Sequence, residues 1–205
     1  MTKTFKRVMA SFVAIVLALG VGLGLAGCGG GNSDEALVRA AIENMMDAFK
    51  NPTKESLEPY MKEVDQSTLD QLDEYGVDIY DMLGHCFKHF EYTINDMTID
   101  GDTGTASLSV TNADIQKAVQ ESTNGLMEDE EFVEEFRNLY TSGDEKGAYK
   151  LIFDKMFAAI DASEETVTTD IEVKLTKTDG TWDIDESSVN EFVSAMYGGL
   201  DLNNL

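Results

Sequence analysis

Apolar residues along this chain recur with two different periods, and the switches between them divide it into helices and hairpins. Val38, Ala41, Ile42, Met45, Ala48 and Phe49 fall three or four apart, behind Asp34 and Glu35 and ahead of Asn51-Pro52. That spacing predicts a first helix with acids in its opening turn and a stop at the proline. Thr53 to Met61, bracketed by Pro52 and Pro59, predicts a short turn or helix. Leu69 and Leu72 predict another helix, capped near Ser67 and interrupted at Gly76. Ile79, Leu83, Cys86 and Phe87 continue a helical stripe, whereas Phe90, Tyr92 and Ile94 alternate. Helix therefore gives way to strand somewhere between Gly84 and Phe90.

Asp100-Gly101-Asp102 is a turn signal, and after it Ala106, Leu108 and Val110 alternate with Ser and Thr, so residues 88–111 read as a hairpin. From Asn112, taken as an N-cap, to Ala162 the helical period returns in three segments: Ile115, Ala118 and Val119; Phe132, Phe136 and Leu139; Tyr149, Phe153, Met156 and Ile160. Val167, Ile171, Val173 and Leu175 alternate again, Asp179-Gly180 turns the chain, and Trp182 and Ile184 return on the same face, which predicts a second hairpin. Val189, Phe192, Val193 and Met196 make a last helix stopped by Gly198-Gly199. The fold class expected is α+β. Helices pack on a curved antiparallel sheet of four or more strands in a single domain over 34–199, with a helical insertion (112–162) between two hairpins and a tail at 200–205.

The N-terminus follows a different logic. Lys3, Lys6 and Arg7 precede an apolar run from Val8 to Ala26 that closes on Leu25-Ala26-Gly27-Cys28. A basic start, an apolar stretch and small residues before a cleavage point describe a secretory leader, and the cysteine placed there resembles the bacterial lipobox. The resemblance implies cleavage between Gly27 and Cys28, a diacylglyceryl group on the Cys28 thiol, a leader at 1–27 and a Gly-rich tether at 28–33. Two acyl chains, at about 0.8 kcal/mol per buried methylene, give durable attachment to a membrane. An uncleaved transmembrane anchor is the competing reading; Gly20, Gly22 and Gly24 weaken a long helix there. The expected location is the outer face of the cytoplasmic membrane of a Gram-positive-type bacterium.

Charge narrows the partners. The chain holds 39 Asp and Glu against 15 Lys and Arg, a formal net charge of −24, and the leader contributes only basic residues. Such a field repels nucleic acid and anionic headgroups. It suits a small molecule, a cation or a basic protein in the envelope, although acidity of this kind also serves solubility alone. With Cys28 lipidated, Cys86 is the remaining thiol, so no intrachain disulfide is expected.

The first helix with Met45 and Phe49, Leu57-Glu58-Pro59-Tyr60-Met61, Phe90-Glu91-Tyr92-Thr93-Ile94, Gly101-Asp102-Thr103-Gly104-Thr105-Ala106 and Asp179-Gly180-Thr181-Trp182-Asp183-Ile184 together resemble Gram-positive lipoproteins of the nuclear-transport-factor-2-like (cystatin-like) class. That resemblance implies a cone of helices on a curved sheet able to hold a small ligand. Tyr60, Tyr80, Tyr92 and Trp182 are the lining groups it suggests, with core aromatics as the plainer reading.

Asp81, His85 and His89 stand at steps of four and would stack on one helical face as metal ligands. A strand beginning before His89 would separate the two imidazoles. Cys86 is expected as a buried, inert thiol. Glu128 to Glu135 reads as a solvated acidic face, and Asp179, Asp183 and Asp185 lack the glycine and glutamate of an EF-hand loop. There is no Gly-x-Ser-x-Gly elbow and no phosphate-cradling glycine loop. The function expected is a non-catalytic, membrane-tethered module binding a small ligand, peptide or envelope partner, with no cofactor. The alternatives are a metal-dependent protein or enzyme using Asp81, His85 and His89, and a structural accessory lipoprotein.

Overall fold

The computed structural model describes residues 25–26, 32–61, 64, 66–126 and 128–201. Helix α1 (Asn32–Lys50) buries Val38, Ile42, Met45, Met46 and Phe49 along one stripe, as their spacing requires. The short helix α2 (Lys54–Leu57) is closed by a capping box between Thr53 and Ser56. Helix α3 (Gln66–Glu74) ends just before Gly76, whose φ of +72° breaks the helical run. Asp78 caps α4 (Ile79–Cys86) by accepting from the N–H groups of Tyr80 and Asp81.

Helix α4 ends at Cys86, inside the window the periodicity allowed, and strand β2 (Glu91–Asp100) begins one residue past that window and pairs with β3 (Thr103–Ala113). A register shift between Ile94 and Asp96 bends β2. The insertion supplies α5 (Ile115–Leu126), α6 (Glu130–Ser142) and α7 (Glu145–Ala162). Its start needs correction, because Asn112 still belongs to β3 and does not cap the helix. Asp114 does, accepting from the Lys117 N–H at 2.9 Å. The fully buried Asn112 instead ties three backbone groups together: its amide donates to the Cys86 and Met196 carbonyls at 3.0 and 2.7 Å, and its oxygen accepts from the Ala113 N–H.

Strand β4 (Thr166–Thr178) pairs with β3 along its length and turns through Asp179-Gly180 into β5 (Thr181–Ile184); α8 (Glu186–Met196) follows. A two-residue strand β1 (Leu25–Ala26) lies beside β5, with Leu25 opposite Trp182 and Ala26 opposite Thr181. The order is β1-β5-β4-β3-β2, antiparallel throughout. The result is helices packed on a curved, unclosed antiparallel sheet.

Alternation gives the sheet two unlike faces. Ala106, Leu108, Val110, Ile171, Val173, Leu175 and Trp182 point into the core, where α8 covers β3 and β4 and α1 covers β2. The insertion helices build a second layer, with α5, α6 and α4 all packing on α7.

Candidate functional site

The four aromatic residues suggested as cone-lining groups are dispersed. Trp182 is fully buried on the core face, with its indole N–H unpartnered in the described structure and the Lys177 ammonium 5.6 Å above its ring. Tyr92 is half-buried on β2, and its hydroxyl donates to Asp47 Oδ1 at 2.8 Å on α1. Burial, then the hydrogen bond and the charges of Asp47 and Glu43, push that phenol well up. Tyr60 lies 6.2 Å from the Phe49 ring, and burial raises its phenol too. Tyr80 packs against the edge of the core.

Three clefts, of about 370, 320 and 300 Å³, open on the described surface. The first lies between α3, α4 and α7 around Leu72, Val77 and Lys146, the second between α5 and the end of α7, the third beside the ends of β2 to β4. Tyr60, Tyr80, Tyr92 and Trp182 line none of these, so the structure does not bring them around one described cavity.

The histidine cluster takes a form that spacing did not reveal. Asp81 and His85 are one turn apart on α4, with His85 Nε2 3.8 Å from Asp81 Oδ1. The closer partner is Asp161 on α7, whose Oδ1 lies 2.9 Å from His85 Nδ1, while the imidazole stacks on Phe157 at 4.7 Å. Lys88 adds an ion pair to the second Asp161 oxygen at 3.1 Å. Burial works to raise the Asp161 carboxyl, but His85 and Lys88 outweigh it and hold the group below its ordinary value. Such a carboxylate orients an imidazole through its Nδ1 side.

His89 falls beyond the end of α4, and its Nε2 is buried without a partner in the described structure. Among the described residues no three His, Cys, Asp or Glu side chains are grouped as one ion would require. Asp81, His85 and His89 therefore do not converge. Cys86 is fully buried, and desolvation, followed by the nearby Asp161 charge, pushes its thiol up to about 12. The thiol is held protonated and away from solvent, as expected for an inert cysteine.

The open face of the sheet is a more extended feature. Strand register sets side chains of β2, β3 and β4 in rows pointing away from the core: Glu91-Thr111-Thr168, Thr93-Ser109-Asp170, Asp96-Ser107-Glu172 and Thr98-Thr105-Lys174. Asn95 donates to Ser109 at 2.8 Å, Ser109 donates to Asp170, and the Thr111 and Thr168 hydroxyls meet at 2.7 Å. Asp96, Asp170 and Glu172 are exposed there, and Lys174 is the base standing beside them. Alternation in the sequence located this face; the rows required the register.

At one end of the sheet the first turn of α1 is locked to β4. Asp34 Oδ2 lies 2.8 Å from Lys177 Nζ, with side chains only 5% and 14% exposed. In sequence Asp34 was legible only as a helix-opening acid. Gly27 and Cys28, the expected cleavage and lipidation positions, lie outside the described residues. No helix among the described residues is long and apolar enough to cross a membrane. No family model, curated protein or solved structure matches the chain.

Proposed function

We propose that the chain is a lipoprotein tethered to the outer face of the membrane through Cys28, and that its domain binds a basic protein of the cell envelope on the open face of the sheet. The carrying observation is the arrangement of Asp96, Asp170 and Glu172 on the open polar face of three paired strands. It is set within a chain of net charge −24. Complementary charge steers encounter and fixes register, and paired strands carry these carboxylates on a backbone that needs no ordering on binding. Hydroxyl groups of Thr93, Thr105, Ser107 and Thr111 between them offer both donors and acceptors.

A ligand inside the cone is the weaker alternative. The core face is filled by Trp182, Leu108, Val110, Ile171 and Val173, all buried, and the described clefts are on the surface.

The test compares two variants that remove equal charge. Asp96→Asn/Asp170→Asn/Glu172→Gln neutralises the sheet face, and Glu131→Gln/Glu134→Gln/Glu135→Gln neutralises the exposed side of α6. Binding of a lysine-rich peptide is measured across a salt titration. The sheet variant should lose about tenfold in affinity, a change of roughly 1.4 kcal/mol, and the α6 variant much less. Equal losses would mean that only net charge matters and would overturn the proposed site.

A further inference from the structure

We infer that the domain stands on the membrane by its two hairpin turns, with the β2–β3 and β4–β5 turns facing the lipid headgroups and the opposite end of the sheet carried outward. This rests on the anchoring through Cys28 proposed above.

Position 28 is bracketed on both sides by the same end of the fold. Two residues before it, Ala26 is paired with Thr181, immediately after the β4–β5 turn. Four residues after it α1 begins at Asn32, and Asp34 in the first turn is locked to Lys177, next to that turn. Four residues of fully extended chain reach at most about 14 Å. A lipid on Cys28 is therefore confined to this end whichever path the tether takes, and it stays confined after cleavage removes Leu25 and Ala26.

The two turns lie side by side, because Thr103 pairs with Thr176 and the Lys177 N–H donates to the Asp102 carbonyl at 2.8 Å. Helix α1 cannot swing away from them. Its start is held by Lys177, while its end is held by the Lys50–Glu91 ion pair and the hydrogen bond from Tyr92 to Asp47. Glu91 opposes Thr111, and Thr111 opposes Thr168, near the other end of β4. With 13 residues in β4, the two ends of the sheet are separated by roughly 40 Å at about 3.3 Å per residue.

Charge sets how the turns meet the bilayer. Asp100, Asp102 and Asp179 are exposed at these turns. Anionic headgroups repel them, so the turns stand off at the surface without inserting. The acidic flanks are repelled in the same way, which disfavours a domain lying flat. The open sheet face then runs up from the membrane and is reachable from the side.

The experiment uses the full lipidated chain reconstituted in vesicles containing anionic phosphatidylglycerol and a headgroup-attached quencher. A fluorophore is placed at Asp179→Cys or at Thr166→Cys, both exposed positions, while Cys86 stays buried and unlabelled. Quenching that is several-fold stronger at 179 than at 166 is the expected result. Equal quenching, or stronger quenching at 166, overturns the orientation. Vesicle flotation of the chain against Cys28→Ala separates the two claims. A floating chain with equal quenching refutes the orientation alone, and a chain that does not float refutes the anchoring and the orientation with it.

Discussion

Lys177 Nζ sits 2.8 Å from Asp34 Oδ2 across 143 positions of sequence, joining the first turn of α1 to the end of β4 in a nearly buried ion pair. The second Asp34 oxygen is buried with no partner in the described structure, so loss of the lysine would leave the carboxylate uncompensated. Removing one member of a buried pair costs about 3 kcal/mol or more, whereas replacing both by apolar groups is often near neutral. Lys177→Met should lower the urea-unfolding free energy by about 3 kcal/mol, and Asp34→Leu/Lys177→Met should recover at least half of that loss. A double variant no better than the single one would mean that the pair is not coupled.

Asn112 is predicted to be the polar side chain that the core tolerates least to lose. Truncation would strip partners from the Cys86 and Met196 carbonyls and the Ala113 N–H. Unsatisfied buried groups cost about 1–3 kcal/mol each. Asn112→Ala should therefore destabilise by about 3 kcal/mol, and Thr111→Ala, the adjacent residue on the open face, by well under half as much. Equal effects in chemical denaturation would contradict this assignment.

Two glycines of similar backbone geometry should respond very differently to alanine. At Gly198, φ is +69° and a Cβ would lie 1.9 Å from the Ala113 carbonyl oxygen; at Gly101, φ is +63° and the space is open. Gly101→Ala should cost only about 1 kcal/mol from the left-handed backbone. Gly198→Ala must also displace the β3–α5 junction, and it should fail to give a cooperative unfolding transition or lower the melting temperature far more.

The pH dependence follows from Asp161 and Asp185. Burial opposes it at Asp161, but His85 and Lys88 hold that carboxyl low, and the Ser187 hydroxyl and N–H do the same for Asp185. A carboxyl whose folded value lies below its unfolded 3.8 stabilises the fold above that pH, and the contribution fades as pH falls through the lower folded value. Unfolding free energy should drop on acidification below about pH 4. The slope should be shallower in Asp161→Asn; an unchanged slope would show that Asp161 does not contribute to the acid sensitivity.

Cys86 provides a kinetic check on the core. Its thiol is buried and pushed up to about 12, so a thiol reagent at pH 8 should leave it unmodified in the folded protein and react on addition of denaturant. Rapid native-state modification would show that α4 opens locally.

Much of this architecture was legible in the sequence because it is local. Helical spacing from Val38 to Phe49, alternation from Ala106 to Val110 and the Asp179-Gly180 turn each report their own backbone, and the α+β class follows from their order. At Asn112 the structure departs from the local pattern for a physical reason. Asn is a good N-cap, but here a buried amide is needed between β3, α4 and α8, and Asp114 takes the cap. The site chemistry was less legible because it is non-local. The best partner of His85 is Asp161, 76 positions away, where a search at steps of four could not reach. Nor could spacing show that Asp96, Asp170 and Glu172 share one sheet face, since that depends on the β2 register shift and the pairing of three strands.

The tethering proposed above, and the orientation built on it, require Cys28 to become the membrane-bound N-terminus, which the intact mass of the protein extracted from producing-cell membranes measures directly. The expected mass is that of a chain beginning at Cys28 and carrying a diacylglyceryl group, with Cys28→Ala leaving the membrane fraction or retaining its leader. A chain that begins elsewhere, or one that begins at Cys28 without lipid, would contradict it.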